Sequence, residues 1–212
     1  MKVSKNAVAR LSRYRDAVRR FKQYQVEWVF SEDIASSLGI KAAQVRKDFS
    51  AFGISGRKKV GYSVEQLESW IADILLQDSV HPAVLAGSGS LMKALLKERG
   101  LFAGAADIQA VFFEEDSDEL RDEQADIPLL PMRDLHAFVQ EKGIRFGCIA
   151  THGPQAQRIA DSMVVAGISG ILSFGSGDLK VPQRCVVSTI NLQQEFERVI
   201  YFATRKMNGT RK

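Results

Sequence analysis

Apolar residues recur at helical spacing through the first 75 positions of this chain and then give way to short, continuous apolar runs. After Ser4, a helix-capping residue type, Val8, Leu11, Tyr14, Val18 and Phe21 fall on one side of a first predicted helix. VEWVFS is a short extended segment. Ser31 is placed to cap a second helix whose Ile34, Ala35 and Leu38 face inward before Gly39 stops it. A third helix follows after a short turn, as in helix-turn-helix modules, with Val45, Phe49 and Phe52 spaced for its buried face. Gly53 and Gly56 mark a turn, Arg57, Lys58 and Lys59 form a basic hairpin tip, and Ser63 with Gln66 makes a capping box. The fourth helix that this box opens is striped by Val64, Leu67, Trp70, Ile71, Ile74 and Leu75.

QDSVHP, residues 77–82, reads as a linker. Beyond it, apolar strands alternate with helices, which predicts an α/β domain. PAVLAGSGS is a strand and Gly-rich turn, LMKALLKERG a helix, and DIQAVFF a second strand, followed by an acidic loop or short helix from Glu114 to Asp126. RDLHAFVQEK is a helix, RFGCIA a strand, and Pro154 suits the first turn of the helix PQAQRIADSMVVAG. GILSF and CVVST complete the strands, and a last helix from about Leu192 to Lys206 carries Leu192, Phe196, Val199, Ile200 and Phe202. The expected fold is therefore α/β overall: a winged helix-turn-helix domain over residues 1–77, a linker at 78–82, a Rossmann-like doubly wound domain over 83–190, and a C-terminal helix and tail over 191–212.

Charge sharpens this division. Residues 1–80 carry 14 Lys and Arg against 9 Asp and Glu, and residues 81–212 carry 15 against 16, so the basic excess belongs to the first segment. That asymmetry suggests a nucleic-acid-binding module joined to something else. No apolar run approaches a membrane span, and the N-terminus has no apolar core of a secretory signal, which makes the cytoplasm the expected location. Cys148 and Cys185 sit in apolar surroundings and read as buried free thiols, and three dispersed histidines offer no metal-ligand spacing.

The third helix carries the candidate chemistry of the first domain. Gln44, Arg46, Lys47 and Ser50 lie opposite its apolar positions, where a helix in the major groove can bond base edges or phosphates. Arg57, Lys58, Lys59 and Tyr62 belong to the adjoining wing. On the first helix, Arg10, Arg13, Arg15, Arg19, Arg20 and Lys22 form a basic side, either a solvated face or phosphate contacts that position the module.

In the second domain, Gly87 and Gly89 stand where a strand-to-helix turn brings backbone N–H groups to a pyrophosphate. The candidate contact set is Gly87, Ser88, Gly89, Ser90 and Leu91, with Glu114 and Thr151. Met92 occupies the third position of the G-x-G-x-x-G fingerprint, and Phe113 stands where a ribose-binding carboxylate is wanted, with Glu114 next to it. His152 is the histidine at a strand end near this turn, suited to a ligand contact or a capping role; it has no partner carboxylate at a diagnostic spacing, so catalysis is not expected.

QVRKDFSAFG with the downstream VGY, together with RLSRY, SEDIASSLGI, AGSGSL, and AGISGILSF followed by LKVP, resembles the Rex family of bacterial redox-sensing transcriptional repressors. The resemblance runs over nearly the whole chain. It implies a homodimer binding a pseudo-palindromic double-stranded operator, NADH and NAD⁺ as effectors with NADH lowering operator affinity, and a last helix exchanged between subunits. It also implies major-groove or phosphate contacts at Arg46 and Lys47, flanked by Gln44 and Ser50, and minor-groove entry by Arg57, Lys58 and Lys59. The chain departs from the family pattern at Lys58-Lys59, where Arg-Gly is frequent, at Met92 and Phe113, at Asn191, where an Asp is usual, and around Arg15-Asp16. Those departures leave open a regulator of the same shape whose response to NAD(H) is weakened, lost or exchanged for another nucleotide. A small NAD-dependent oxidoreductase is the remaining reading, and it lacks an identifiable proton donor.

Overall fold

The computed structural model describes residues 4–75, 80–114, 126–175 and 177–209. The chain divides into two compact units, Met1–Ser79 and Val80–Lys212.

The first unit contains α1 (Lys5–Gln23), β1 (Trp28–Val29), α2 (Ser31–Leu38), α3 (Ala42–Ala51), β2 (Tyr62–Ser63) and α4 (Val64–Ile74). Its core joins Leu11, Tyr14 and Val18 of α1 to Ile34, Val45, Phe49, Leu67 and Ile71. The Phe49 ring is the hub, meeting the rings of Tyr14 at 5.3 Å and Tyr62 at 5.1 Å, both edge to face. Val8, expected on the buried side of α1, is exposed; Ala7 and Ala17 take the inward positions beside Leu11, Tyr14 and Val18, so the buried stripe is turned slightly from the expected one. Ser4 caps α1 by accepting from the Ala7 N–H at 3.2 Å. Ser31 does not cap α2: it is the helix's first residue, Phe30 is the N-cap, and Asp33 Oδ2 accepts from the Phe30 N–H at 2.7 Å. Ser31 is instead buried, with its hydroxyl turned toward α3. α2 ends at Gly39. Ser63 caps α4 through the Gln66 N–H, and β1 pairs antiparallel with β2, Val29 opposite Tyr62.

The second unit is a six-stranded parallel sheet. In chain order its elements are β3 (His81–Gly87), α5 (Gly89–Lys97), β4 (Ala106–Phe113), β5 (Leu129–Pro131), α6 (Leu135–Lys142), β6 (Phe146–Ala150), α7 (Gly153–Val165), β7 (Gly170–Ser173), β8 (Val186–Thr189) and α8 (Leu192–Gly209), with 3₁₀ turns at Arg99–Phe102 and Met132–Asp134. The strand order β5-β4-β3-β6-β7-β8 is that of two mononucleotide-binding halves meeting at β3 and β6. One core layer packs α6 and α7 on Val84, Ala86, Phe112, Ile149 and Ile171; the other packs α5 on Leu85, Ile108, Val111 and Cys148. β5 is not anticipated by the hydrophobic pattern, since three residues carry no period. Residues 115–125 of the acidic stretch and 77–79 of the expected linker lie outside the described residues, and β3 already begins at His81. α8 leaves Leu192, Phe196, Val199, Ile200 and Phe202 exposed, and Asn191 Oδ1 accepts from the Gln194 N–H at 3.2 Å at its start.

Candidate functional site

Two sites follow, one in each unit. In the first, α3 is fixed by a buried carboxylate. Asp48 is 3% exposed and accepts from Arg10 Nε at 2.6 Å, Arg10 Nη2 at 2.8 Å, the Tyr14 hydroxyl at 2.7 Å and Gln44 Nε2 at 2.9 Å. Burial on its own would push this carboxyl up; the hydrogen bonds from Arg10, Tyr14 and Gln44 outweigh it and hold Asp48 below the usual carboxylate range. Tyr14 is driven the other way, by burial first and by the Asp48 charge. Arg10 therefore belongs to the core of the module rather than to a phosphate-binding face. Gln44 is half-buried, with its amide bound to Asp48.

Arg46, Lys47 and Ser50 are exposed along the outer face of α3. Arg46 Nη1 donates to Glu32 Oε1 at 2.7 Å and to Ser31 Oγ at 2.8 Å, so the start of α2 holds this guanidinium. Beside them the wing closes through Arg57 N–H to Gly61 C=O at 2.7 Å and Gly61 N–H to Arg57 C=O at 2.9 Å. The Arg57 guanidinium lies 5.2 Å from the Trp28 ring centroid. Lys58 and Lys59 form the exposed tip, with Lys59 at φ +65°, a left-handed conformation that a side chain with a Cβ adopts at a cost. That conformation is the physical counterpart of the glycine frequent at this position in the resembled family. Tyr62 is half-buried, its ring on Phe49.

The basic side of α1 is largely spent within the module. Arg13 donates to the Leu38 carbonyl, and Arg19 and Lys22 both reach Glu68, at 3.4 and 2.6 Å. The Lys22 hydrogen bond holds Glu68 below the ordinary carboxylate range. Arg15 pairs with its neighbour Asp16. Sequence reading missed Asp48, Glu32 and Trp28 as partners. The charge alternation in QVRKD was a local hint of Asp48 alone.

In the second unit the strand order reverses between β3 and β6, and the N-termini of α5 and α7 open there. Gly87 is required: a Cβ on it would stand 2.4 Å from the Ala150 carbonyl oxygen of β6. Gly89 begins α5 at φ +75°, and a Cβ there would meet nothing within 4 Å, so the space in front of the helix is open. The first-turn N–H groups of α5, those of Ser90 and Leu91 included, have no intrahelical acceptor and favour an anion. Ser88 and Thr151 are brought together, Oγ to Oγ1 at 3.1 Å, and both meet Gln155 Oε1, at 2.9 and 2.6 Å. Gln155 is a further residue that sequence reading missed. Met92 is fully buried against Leu85, Val111 and Cys148, so it fills the helix–sheet interface and takes no space from the turn. Phe113 packs on the same cluster. Glu114 lies beyond it at the end of β4, 3.3 Å from Arg158 Nη2 of α7. His152 is the exposed N-cap residue of α7 and makes no side-chain capping bond. The tight turn at Gly87 and the open space before the α5 N-terminus suit an anionic group such as a phosphate.

Residues 2–50 match the family model described as "Putative DNA-binding protein N-terminus". The redox-sensing transcriptional repressor Rex of Streptococcus uberis is 33% identical over 207 residues, 97% of each chain. That of Streptococcus equi subsp. equi is 34% identical over 203 residues, 94% of each. Among solved structures, the Rex-family repressor RSP in complex with β-NADH superposes with TM-score 0.85 at 24% identity, covering 99% of this chain and 98% of that one. RSP in complex with β-NAD⁺ and operator DNA gives 0.84 at 24% identity, covering both chains completely.

Proposed function

The chain belongs to the Rex family of redox-sensing transcriptional repressors, and from that premise we propose how its residues bind DNA and sense NADH and NAD⁺. The chain is a DNA-binding repressor, and NAD(H) is its effector. Residues 1–77 are the DNA-binding domain: α3 enters the major groove with Arg46, Lys47 and Ser50 outward, Gln44 at its inner edge, and the wing brings Arg57, Lys58, Lys59 and Tyr62 to the neighbouring groove. After the linker at 78–82, residues 83–190 hold the dinucleotide, with its pyrophosphate at Gly87, Ser88, Gly89, Ser90 and Leu91 and its riboses near Glu114 and Thr151. Residues 191–212 supply the helix exchanged in a homodimer, which accounts for the exposed apolar side chains of α8. Two-fold symmetry then requires a pseudo-palindromic operator. The protein works in the cytoplasm, where its DNA is, and carries out no chemistry on the nucleotide.

The observation that carries this reading is the pairing, in one chain, of an α3 face left exposed and cationic with a β3–α5 turn shaped for a pyrophosphate. Bound nucleotide supplies the signal, because NADH and NAD⁺ differ in charge and shape at the nicotinamide. The test is calorimetry with NADH and NAD⁺ beside an operator gel shift. The expected result is one nucleotide per chain, with NADH releasing the duplex. DNA binding that ignores both nucleotides would assign the crevice to another ligand.

A further inference from the structure

Arg46 presents the one outward guanidinium of α3, and its surroundings are asymmetric. Nη1 is held twice, by Glu32 Oε1 at 2.7 Å and by Ser31 Oγ at 2.8 Å, while the Ser31 hydroxyl itself donates to Glu32 Oε2 at 3.1 Å. Ser31 is buried, so the cradle has its floor inside the module. Among the described residues, Nε and Nη2 of Arg46 make no hydrogen bond. These two nitrogens form one edge of the planar fork, the edge that can bond two acceptors side by side.

We propose that Glu32 is a positioning residue for Arg46, presenting its Nε–Nη2 edge to a guanine and holding it away from phosphate. The proposal rests on the DNA-binding reading above. A guanine offers O6 and N7 as adjacent acceptors in the major groove, and a fork held at its far nitrogen meets that pair without ordering a free side chain. A phosphate approached by the same arginine would come close to the Glu32 carboxylate and be repelled by it. Glu32 therefore lowers affinity for arbitrary duplex more than affinity for the cognate site. This is discrimination by a repulsive element rather than by an added contact.

The experiment uses the full chain and two probes: a duplex enriched by the wild-type chain from a random library, and poly(dA-dT), which offers phosphates but no O6–N7 acceptor pair. Glu32→Gln keeps the shape and an acceptor oxygen but removes the charge. The expected result is poly(dA-dT) affinity raised about three- to tenfold, a salt slope steeper by about 1, and a smaller gain on the enriched duplex. Arg46→Ala in the Glu32→Gln background should abolish the gain. Equal changes on both probes, or none on poly(dA-dT), would overturn the proposal; so would a gain that survives Arg46→Ala. If the wild-type chain enriches no duplex at all, the DNA-binding reading itself fails, an outcome separate from these. A purely structural role for Glu32 would lower thermal stability and leave the ratio of the two affinities unmoved. Ser31→Ala is the companion variant, expected to loosen the cradle while keeping the charge, and so to cost the enriched duplex more than poly(dA-dT).

Discussion

Asp48→Asn should loosen α3 from α1 without emptying any volume. Asp48 accepts four hydrogen bonds, two of them from the Arg10 guanidinium, and is 3% exposed. An asparagine keeps one acceptor oxygen and turns an NH₂ toward donors, so at least two of the four bonds are lost. Breaking a buried ion pair costs about 3–5 kcal/mol. The Arg10 side chain is 26% exposed and can recover water, which brings the expected loss to about 2–4 kcal/mol. Hydrogen exchange reads this directly, because amides of α1 and α3 that open through the first unit should lose protection by about 30- to 900-fold. The pH dependence separates charge from shape. The folded Asp48 carboxyl lies below its unfolded value of about 3.9, so its contribution is complete above that value and disappears as pH falls through the folded one. The gap between wild type and variant should be constant from pH 7 to 5 and close in acid. A gap of the same size at pH 3 would show that the ionised carboxylate is not what holds α3.

The other predictions concern single positions. Lys59→Gly should stabilise the wing by about 0.5–1 kcal/mol in thermal unfolding, since position 59 is left-handed, while flattening the salt dependence of DNA binding by about 1; a destabilised variant would refute the strain argument. Met92→Gly restores the third fingerprint glycine but empties a fully buried site, so it should cost about 2–5 kcal/mol and bring no tighter nucleotide binding in calorimetry. Cys148 is buried, and burial pushes its thiol up to about 12, so a disulfide reagent at pH 8 should modify it only on unfolding; reaction at the rate of a free thiol would contradict the packing.

The elements with a strong period were readable. Val45, Phe49 and Phe52 announced α3, and the alternation of apolar strands with helices announced the doubly wound sheet. What escaped was either too short or too distant. Leu129–Pro131 has no room for a period, yet it becomes an edge strand because β4 offers it a parallel partner. Ser31 has the chemistry of a cap, but Asp33 reaches the Phe30 N–H, and the serine hydroxyl is drawn to Arg46 instead. Met92 looked like an obstacle at the fingerprint because sequence does not say which side of α5 it occupies. The packing puts it on the sheet side.

Charge was the hardest feature to read, and it changes where the DNA-binding surface is placed. The basic excess of residues 1–80 draws heavily on α1, which holds Arg10, Arg13, Arg15, Arg19, Arg20 and Lys22. Counting cations would make α1 the electrostatic face. Yet Arg10 is consumed by Asp48, which is 38 residues away, Arg19 and Lys22 by Glu68, and Arg13 by a helix-end carbonyl. Each of those partners is invisible to a local window. Lys47 on α3 and Lys58 and Lys59 at the wing tip are all exposed. The long-range pairs bind α1 to α3 and α4, while Lys47, Lys58 and Lys59 make no ion pair among the described residues.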